Sequence, residues 1–308
     1  MKLFIIGNGF DCHHRLPTKY SDFRNYIIYQ FPNALINQCS VPESIQMPDG
    51  EEIYDDKKVV GYIVNIIDDC EGSDWNDLES FLGDNLYRRF KLDLPRIDFD
   101  GNDNQMFRDV YNREEMSKDM SNVFKTIKLL FEDWVKNELG NLEYNTKYDK
   151  KVATILDSDS VFLNFNYTET LQKLYGIKNS NICYIHGKAN DGSEIYFGHG
   201  DDEPIPDSFD FIGCDDIFEK LKNELHKNTQ KALDEHSKFF KSIANVREIY
   251  SFGFSFSDVD MIYIEKISRK VDLQNTIWYL NTYDWKNKKD YKKKLENLGF
   301  TVKLEDRW

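Results

Sequence analysis

The segment Leu3–Pro17, reading LFIIGNGFDCHHRLP, limits the fold more than any other stretch of the chain. An apolar run of strand length stops at a Gly-x-Gly turn that carries a side-chain amide, Asn8, and a carboxylate, Asp11. Only backbone without Cβ atoms turns that sharply off a buried strand and lets another group come close. Gly7 and Gly9 are the two bare positions, and the amides of Gly7, Asn8 and Gly9 are expected to face a phosphate. The third glycine of the dinucleotide fingerprint is missing, so the segment alone also fits a plain tight turn after a strand.

The strand–helix pattern of the rest of the chain favours the first of these readings. Lys2–Ile6 reads as a buried strand and Lys19–Gln30 as a helix, with Phe31–Glu52, which holds three prolines, as an irregular connection. From about Asp55 to Leu156 the periodicity is helical: Val59–Asp69, Asn76–Phe90 and a long stretch from Gln105 to Leu139, with a polar loop around Asp98–Asn104. Short apolar runs then return at Ser160–Asn164, Ile182–Ile185 and Glu194–Phe197, followed by a charged helical segment, Asp215–Lys241. Val246–Phe252, Thr276–Leu280 and Thr301–Leu304 read as strands, separated by helices at Val259–Arg269 and Lys288–Leu298. This alternation predicts a single α/β domain over residues 1–308: a mostly parallel sheet, helices on both faces, and a mostly helical insertion at about 55–156.

Composition narrows the class of function. A chain of 308 residues with 22 Phe and 18 Tyr can bury a large core, which favours an enzyme-like body over a disordered one. A formal net charge of −14 repels phosphate backbones, so no nucleic-acid partner is expected; the basic cluster Lys286 to Lys294 reads as the solvated face of a helix. Cys12, Cys39, Cys70, Cys183 and Cys214 are scattered singly, without a Cys-x-x-Cys pair, which suits a reducing compartment and indicates neither a zinc ribbon nor a redox motif. The first apolar run is too short for a signal peptide or a membrane span, so the expected location is the cytoplasm, with no membrane partner.

Four polar clusters follow predicted strands directly: GNGFD after the first, Asn166 in NFNYT, His186-Gly187, and Gly253-Phe254-Ser255 in SFGFSFSDVD. Right-handed crossovers put the carboxyl ends of parallel strands along one edge, where ligands bind in open sheets. Each cluster also has a plainer reading. Asn166 suits an Asx turn, His186 a satisfied half-buried histidine, and Ser257 with Asp260 a helix capping box. Asp258 and Asp260 would repel a phosphate, so this last loop is expected to meet a sugar hydroxyl or base, with Ser255 as its contact. Trp75, Leu78, Phe81 and Leu82 read as helix-spaced core, with Glu79 pointing inward or solvated.

Taken together, GNGFD…LPT-x-Y-x-x-F, W-x-x-x-E (Trp75, Glu79), FNYT, IHG, FGHG and GFSFSDVD resemble the bacterial abortive-infection AbiH family across nearly the whole chain. That family in turn is similar to the sirtuin-like, Rossmann-type NAD-binding fold. By that resemblance Gly7, Asn8, Gly9, Asp11, Leu16 and Pro17 match the sirtuin glycine loop, Asn166 and His186-Gly187 its asparagine and His-Gly, and Gly253-Phe254-Ser255 its Gly-Thr-Ser. Thr168 stands where sirtuins carry an aspartate, Asp11 replaces a serine, and the zinc-binding cysteine pairs are absent. The resemblance therefore implies NAD handling, while these departures speak against deacylation.

The function so implied is an anti-phage effector that cleaves NAD, its substrate, to nicotinamide and ADP-ribose. Asn166 and His186 are the expected catalytic residues: Asn166 to hold the nicotinamide amide or orient water, His186 to take a proton from a ribose hydroxyl or water. Gly7, Asn8, Gly9, Asp11, Thr168, Gly253 and Ser255 are the expected nucleotide contacts, with Asp11 toward the ribose and no metal required. Two rivals stand beside this reading. One is a divalent-metal phosphoesterase or nuclease built from His186, His199, Asp201 and Asp202 with Asp11, His13 and His14; the other is a non-catalytic nucleotide sensor. Homo-oligomer formation and a phage-derived trigger stay open.

Overall fold

Apolar runs with little polar alternation are what strands buried on both faces require, and such runs form five of the six strands of the sheet. The computed structural model describes residues 1–69, 79, 82–83, 86, 88, 90–99, 102–157, 159–200, 211–281 and 287–305. Its strands are β1 (Lys2–Ile6), β2 (Val161–Asn164), β3 (Ile182–Tyr184), β4 (Glu248–Phe252), β5 (Ile277–Asn281) and β6 (Thr301–Glu305). They lie in the order β3-β2-β1-β4-β5-β6, and every neighbouring pair is parallel. Such a sheet reverses its direction of winding between β1 and β4, the switch point where ligands bind in doubly wound sheets.

The chain divides into two compact units, one of Met1–Lys19, Val135–Tyr196 and Asn228–Trp308, the other of Tyr20–Trp134 and Phe197–Lys227. The first carries the sheet. Strict period-2 geometry sends Leu3 and Ile5 to one face, where they pack with Leu233, Phe240, Ile264, Ile267 and Leu295 from helices. Phe4 and Ile6 go to the other face and meet Phe10, Val152, Ile155 and Leu171. Both faces are thus covered, as the sequence predicts.

On the second face an aromatic row crosses four strands. Phe4 stands in register with Phe162 and Tyr250, and Tyr250 with Tyr279. Their rings stack with centroids 5.2, 5.1 and 4.8 Å apart. On the other face the indole N–H of buried Trp278 donates to Ser251 Oγ at 3.1 Å, so this buried hydroxyl of β4 is paired. Strand β6 is mostly exposed and closes the edge.

The second unit is largely helical. Its helix Asp56–Asp68 is capped by the Asp55 carboxylate, which accepts from Lys57 N at 3.0 Å, and buries Val59 to Val64 with Ile66 and Ile67. Phe23 packs edge-on against Phe131, and both touch Trp134. The long helix predicted from Gln105 runs over Asp103–Asn137.

Three predicted elements differ. Glu194–Phe197 is not a strand: Ile195, Tyr196 and Phe197 are buried, and a main-chain bond runs from Tyr196 N to His186 O (2.9 Å), but the segment joins no ladder. Burial of side chains made this run apolar, not sheet membership. The stretch 31–52 is not wholly irregular, since Ile45–Gln46 pairs antiparallel with Glu52–Ile53 around a turn at Gly50. The charged segment 215–241 is three helices, Asp215–Leu225, Thr229–Glu235 and Ser237–Ser242, interrupted where His226 bridges to His199 and where Asn228 caps the second. Most of the predicted helix Asn76–Phe90, including Trp75 before it and Phe81, lies outside the described residues, as do Cys70 and Lys286. Among the described residues no helix is long and apolar enough to cross a membrane.

The central ring of the aromatic row gives a direct test. Phe4→Ala opens a cavity between two stacked neighbours and is expected to cost about 3–5 kcal/mol, read as a lower midpoint of urea unfolding, whereas Phe4→Leu loses less than half of that.

Candidate functional site

The four polar clusters all belong to the sheet-bearing unit, at the carboxyl ends of β1, β2, β3 and β4. The loops after β1 and β4 continue the ladder beyond the sheet: Gly7 N donates to Phe252 O and Gly9 N to Gly253 O, both at 3.0 Å. A Cβ on Gly7 would stand 2.3 Å from Gly253 O, and one on Gly9 2.6 Å from Gly253 Cα. Gly253 itself has φ +63, a left-handed turn that favours glycine. The bare positions of the Gly-x-Gly turn are therefore filled by another loop's main chain. The expected role of the Gly7 and Gly9 amides toward a pyrophosphate is replaced by this contact, because both N–H groups are already committed.

Asp11 is also placed differently from expectation. Its carboxylate is fully buried and accepts from Thr168 Oγ1 and Thr170 Oγ1, both at 2.6 Å. It therefore ties the glycine loop to the loop after β2 instead of presenting an oxygen to a ribose. Burial pushes this carboxyl up to about 6, against the opposing hydrogen bonds of Thr168, Thr170 and Asn166. Thr168, carried over from the resemblance as a nucleotide contact, is buried and spends its hydroxyl here. Thr170 was not singled out in the sequence, because a threonine opening the helix Thr170–Tyr175 has ordinary helix-start chemistry.

Asn166 is buried and does more than close a turn. Its Nδ2 donates to Gly7 O at 3.1 Å, and its own N–H is held by Asn164 Oδ1 at 3.2 Å. An amide anchored through its nitrogen keeps its carbonyl oxygen as an acceptor. The preceding residue, Phe165, joins the clusters: its ring lies 5.0 Å from the His186 ring and 4.4 Å from that of Phe254. Thus one aromatic side chain brings the NFNYT, IHG and GFSFS segments together.

His186 is buried, with Nε2 3.2 Å from Asp260 Oδ1, and its ring also meets Tyr263. The other Asp260 oxygen accepts from Ser257 Oγ at 3.2 Å. The capping box predicted for Ser257 and Asp260 is therefore not formed: the hydroxyl serves the carboxylate, which stands at ion-pair distance from the imidazole. Asp258, by contrast, is exposed and paired with Lys294, which also donates to Phe256 O. Ser255, on the loop after β4, and Asn8, which opens the helix Asn8–His13, are half-buried, and Asn8 Nδ2 lies 3.7 Å from Cys12 Sγ. Next to His186-Gly187, the ammonium of Lys188 pairs with Glu169 at 2.8 Å, which holds that carboxyl below its ordinary range.

Among the described residues, His13, His14 and His199, proposed as metal ligands, have other partners. His13 Nε2 pairs with Asp149 Oδ2 at 2.9 Å. His14 Nδ1 donates to Phe10 O and its Nε2 faces Tyr175 Oη, both at 2.7 Å; burial, then the charge of His13, lowers its proton affinity. In the helical unit, His199 Nε2 bonds Lys222 O at 3.1 Å. Asp201 and Asp202 lie outside the described residues, and among those described no group of three His, Cys, Asp or Glu stands together to hold a metal.

The helical unit holds a second buried polar pair. Glu79 points inward, and its two oxygens lie 3.0 and 3.2 Å from Nζ of Lys227, itself 2% exposed. Lys227 N donates to His199 O, so the pair is anchored at the FGHG segment. A carboxylate four residues beyond Trp75 signalled half of this pair; a lysine in LHKN gave no signal for the other.

The family model described as bacteriophage abortive infection AbiH matches residues 3–282. No curated protein matches the chain, and no solved structure does either.

The Asp11 carboxyl predicts a pH signature. Its proton is held more tightly in the folded chain (about 6) than in the unfolded chain, where an ordinary aspartate titrates at about 3.9. The unfolded state ionises first as pH rises, so stability falls between about pH 4 and 6 and stays lower above that window, by on the order of 3 kcal/mol from this group. Asp11→Asn, which mimics the protonated form, is expected to flatten that part of the stability–pH curve in urea unfolding; an unchanged slope would refute the assignment.

Proposed function

Because the chain belongs to the AbiH family, we propose that it acts in abortive infection by phage as an effector that cleaves NAD to nicotinamide and ADP-ribose. The observation that carries this reading is the placement of Asn166 and His186. Both are buried polar side chains at the carboxyl ends of adjacent parallel strands, β2 and β3, on the same edge of the sheet as the switch point between β1 and β4. Burying an amide or an imidazole costs free energy unless it is paired; Asn166 bonds Gly7 O, His186 stands 3.2 Å from Asp260, and both adjoin the Phe165 ring, which joins three loops.

In this mechanism the bond between nicotinamide and ribose breaks with its electron pair leaving on the pyridine nitrogen, which neutralises the departing ring. Positive charge grows on the ribose, and water adds at the same carbon. The carbonyl oxygen of Asn166 accepts a hydrogen bond from the nicotinamide amide or from that water. His186 takes the proton that water or a ribose hydroxyl gives up, a contribution of roughly 10²–10⁴-fold. Asn8, at the start of the helix Asn8–His13, and Ser255, on the loop after β4, both half-buried, are the nucleotide contacts in this arrangement, and Gly7, Gly9 and Gly253 pack the two segments together. Thr168 and Asp11 hold the loops in place. No metal enters the reaction.

The assay is nicotinamide release from NAD by the purified chain, with NAD levels in phage-challenged cells measured alongside. His186→Ala and Asn166→Ala are each expected to lower turnover about 100-fold or more in protein that still folds, checked by circular dichroism, and chelator is expected to leave turnover unchanged. Full turnover by well-folded His186→Ala would overturn the reading.

A further inference from the structure

Helices Lys150–Ile155 and Thr170–Tyr175 press Val152, Ile155 and Leu171 onto the aromatic face of the sheet. Outside that layer, within the sheet-bearing unit, they leave an open groove of about 530 Å³. Its apolar wall is Tyr148, Leu156, Leu174, Tyr175 and Ile177, and Tyr148 is 50% exposed. Asp157 also lines it, but its carboxylate is committed to Lys2 Nζ at 3.1 Å and to Ser160 Oγ at 2.8 Å. The hydroxyl of Tyr175 is committed as well. His14 Nδ1 donates to Phe10 O, which can only accept, so the neutral ring takes the Tyr175 O–H at Nε2 (2.7 Å). Asp149 N donates to the same phenol oxygen at 2.9 Å. Tyr175 thus offers an occupant its ring and not its hydroxyl.

The rim reverses the sign of the chain, whose net charge is −14. Lys147 precedes Tyr148, Lys178 follows Ile177, and Lys150 lies one helical turn from Ala153, another lining residue. All three lysines are exposed, and among the described residues none stands within ion-pair distance of a carboxylate. The acids close to them in sequence have partners already: Asp149 faces His13 at 2.9 Å, and Glu169 faces Lys188 at 2.8 Å.

We propose that this groove docks an acidic peptide segment of another protein, with leucine or phenylalanine side chains seated on the wall and carboxylates facing Lys147, Lys150 and Lys178. Exposed apolar surface rimmed by charge is the anatomy of such sites. The rim speeds encounter, and the anchors on the wall supply most of the affinity. A nucleic-acid strand fits less well. Its bases need ring faces to stack on, whereas the Tyr148 and Tyr175 rings stand at 70° with centroids 6.1 Å apart, and the net charge repels phosphate. A two-fold pair of copies would set these lysines against their own equivalents. The docking stands apart from the NAD-cleaving reading, because none of the residues named in that reaction lines the groove.

The test is fluorescence anisotropy of the purified full chain with labelled synthetic peptide pools: acidic with Leu and Phe anchors, acidic with Ser in place of the anchors, and basic with the anchors. The anchored acidic pool is expected to bind about tenfold more tightly than either control, and to weaken as salt rises. Hydrogen exchange is expected to slow over 148–157 and 171–178 when it binds. Tyr148→Ser is expected to weaken binding about tenfold; Lys150→Glu combined with Lys178→Glu is expected to do the same and to flatten the salt dependence. These side chains are exposed, so the variants are expected to fold, with circular dichroism as the check. No binding by the anchored acidic pool, equal binding by all three pools, or binding unchanged in the variants overturns the proposal. Tighter binding of a single-stranded oligonucleotide or of anionic lipid vesicles also overturns it, as does a dimer in sedimentation velocity that Tyr148→Ser dissociates.

Discussion

Main chain packed directly on main chain, where β1 and β4 leave the sheet, is the contact on which the carboxyl edge depends. Gly7, Gly9 and Gly253 approach so closely that none can carry a methyl group without moving another loop. The two N–H···O bonds that cross this gap carry the parallel ladder past its last residues. Everything polar at that edge is then referred to a fixed backbone. Asn166 is hung from Gly7 O, Asp11 is clamped by Thr168 and Thr170, and the loop that starts at Gly253 delivers Asp260 to His186. The glycines act here as joinery between loops, and the chemistry is carried by side chains.

Much of the scaffold is legible from the chain alone, because parallel strands covered on both faces must be continuously apolar. KLFII, EIYSF and IWYLN can hardly be read otherwise. The same rule misleads at Glu194–Phe197, where the apolar run is a covered loop and its main chain pairs with the His186 turn. Apolar composition reports burial, and only partners distinguish a strand. The charged segment after Cys214 looks continuous, because its breaks at His226–Asn228 and His236 contain neither glycine nor proline.

The candidate site was legible at the level of which loops take part and not at the level of which atoms meet. Strand ends mark Asn166 and His186 from topology alone. The partner of His186 is hidden in a Ser-x-x-Asp pattern that local chemistry explains equally well as a helix cap. Asp11 carries the same ambiguity: beside a glycine turn a carboxylate suggests a sugar hydroxyl, and only the fold shows two threonine hydroxyls already there. Polar side chains are read correctly from sequence when their partner is nearby in the chain; these partners lie 157 residues away for Thr168 and 159 for Thr170.

The buried pair of Glu79 and Lys227 imposes an inheritance rule on two positions 148 residues apart. Losing either charge strands the other in an apolar surround, whereas exchanging both for well-fitting hydrocarbon leaves the helical unit nearly as stable. Descendants of this chain should therefore keep the acid and the base together or discard them together, and a lineage caught between those states would be quickly lost.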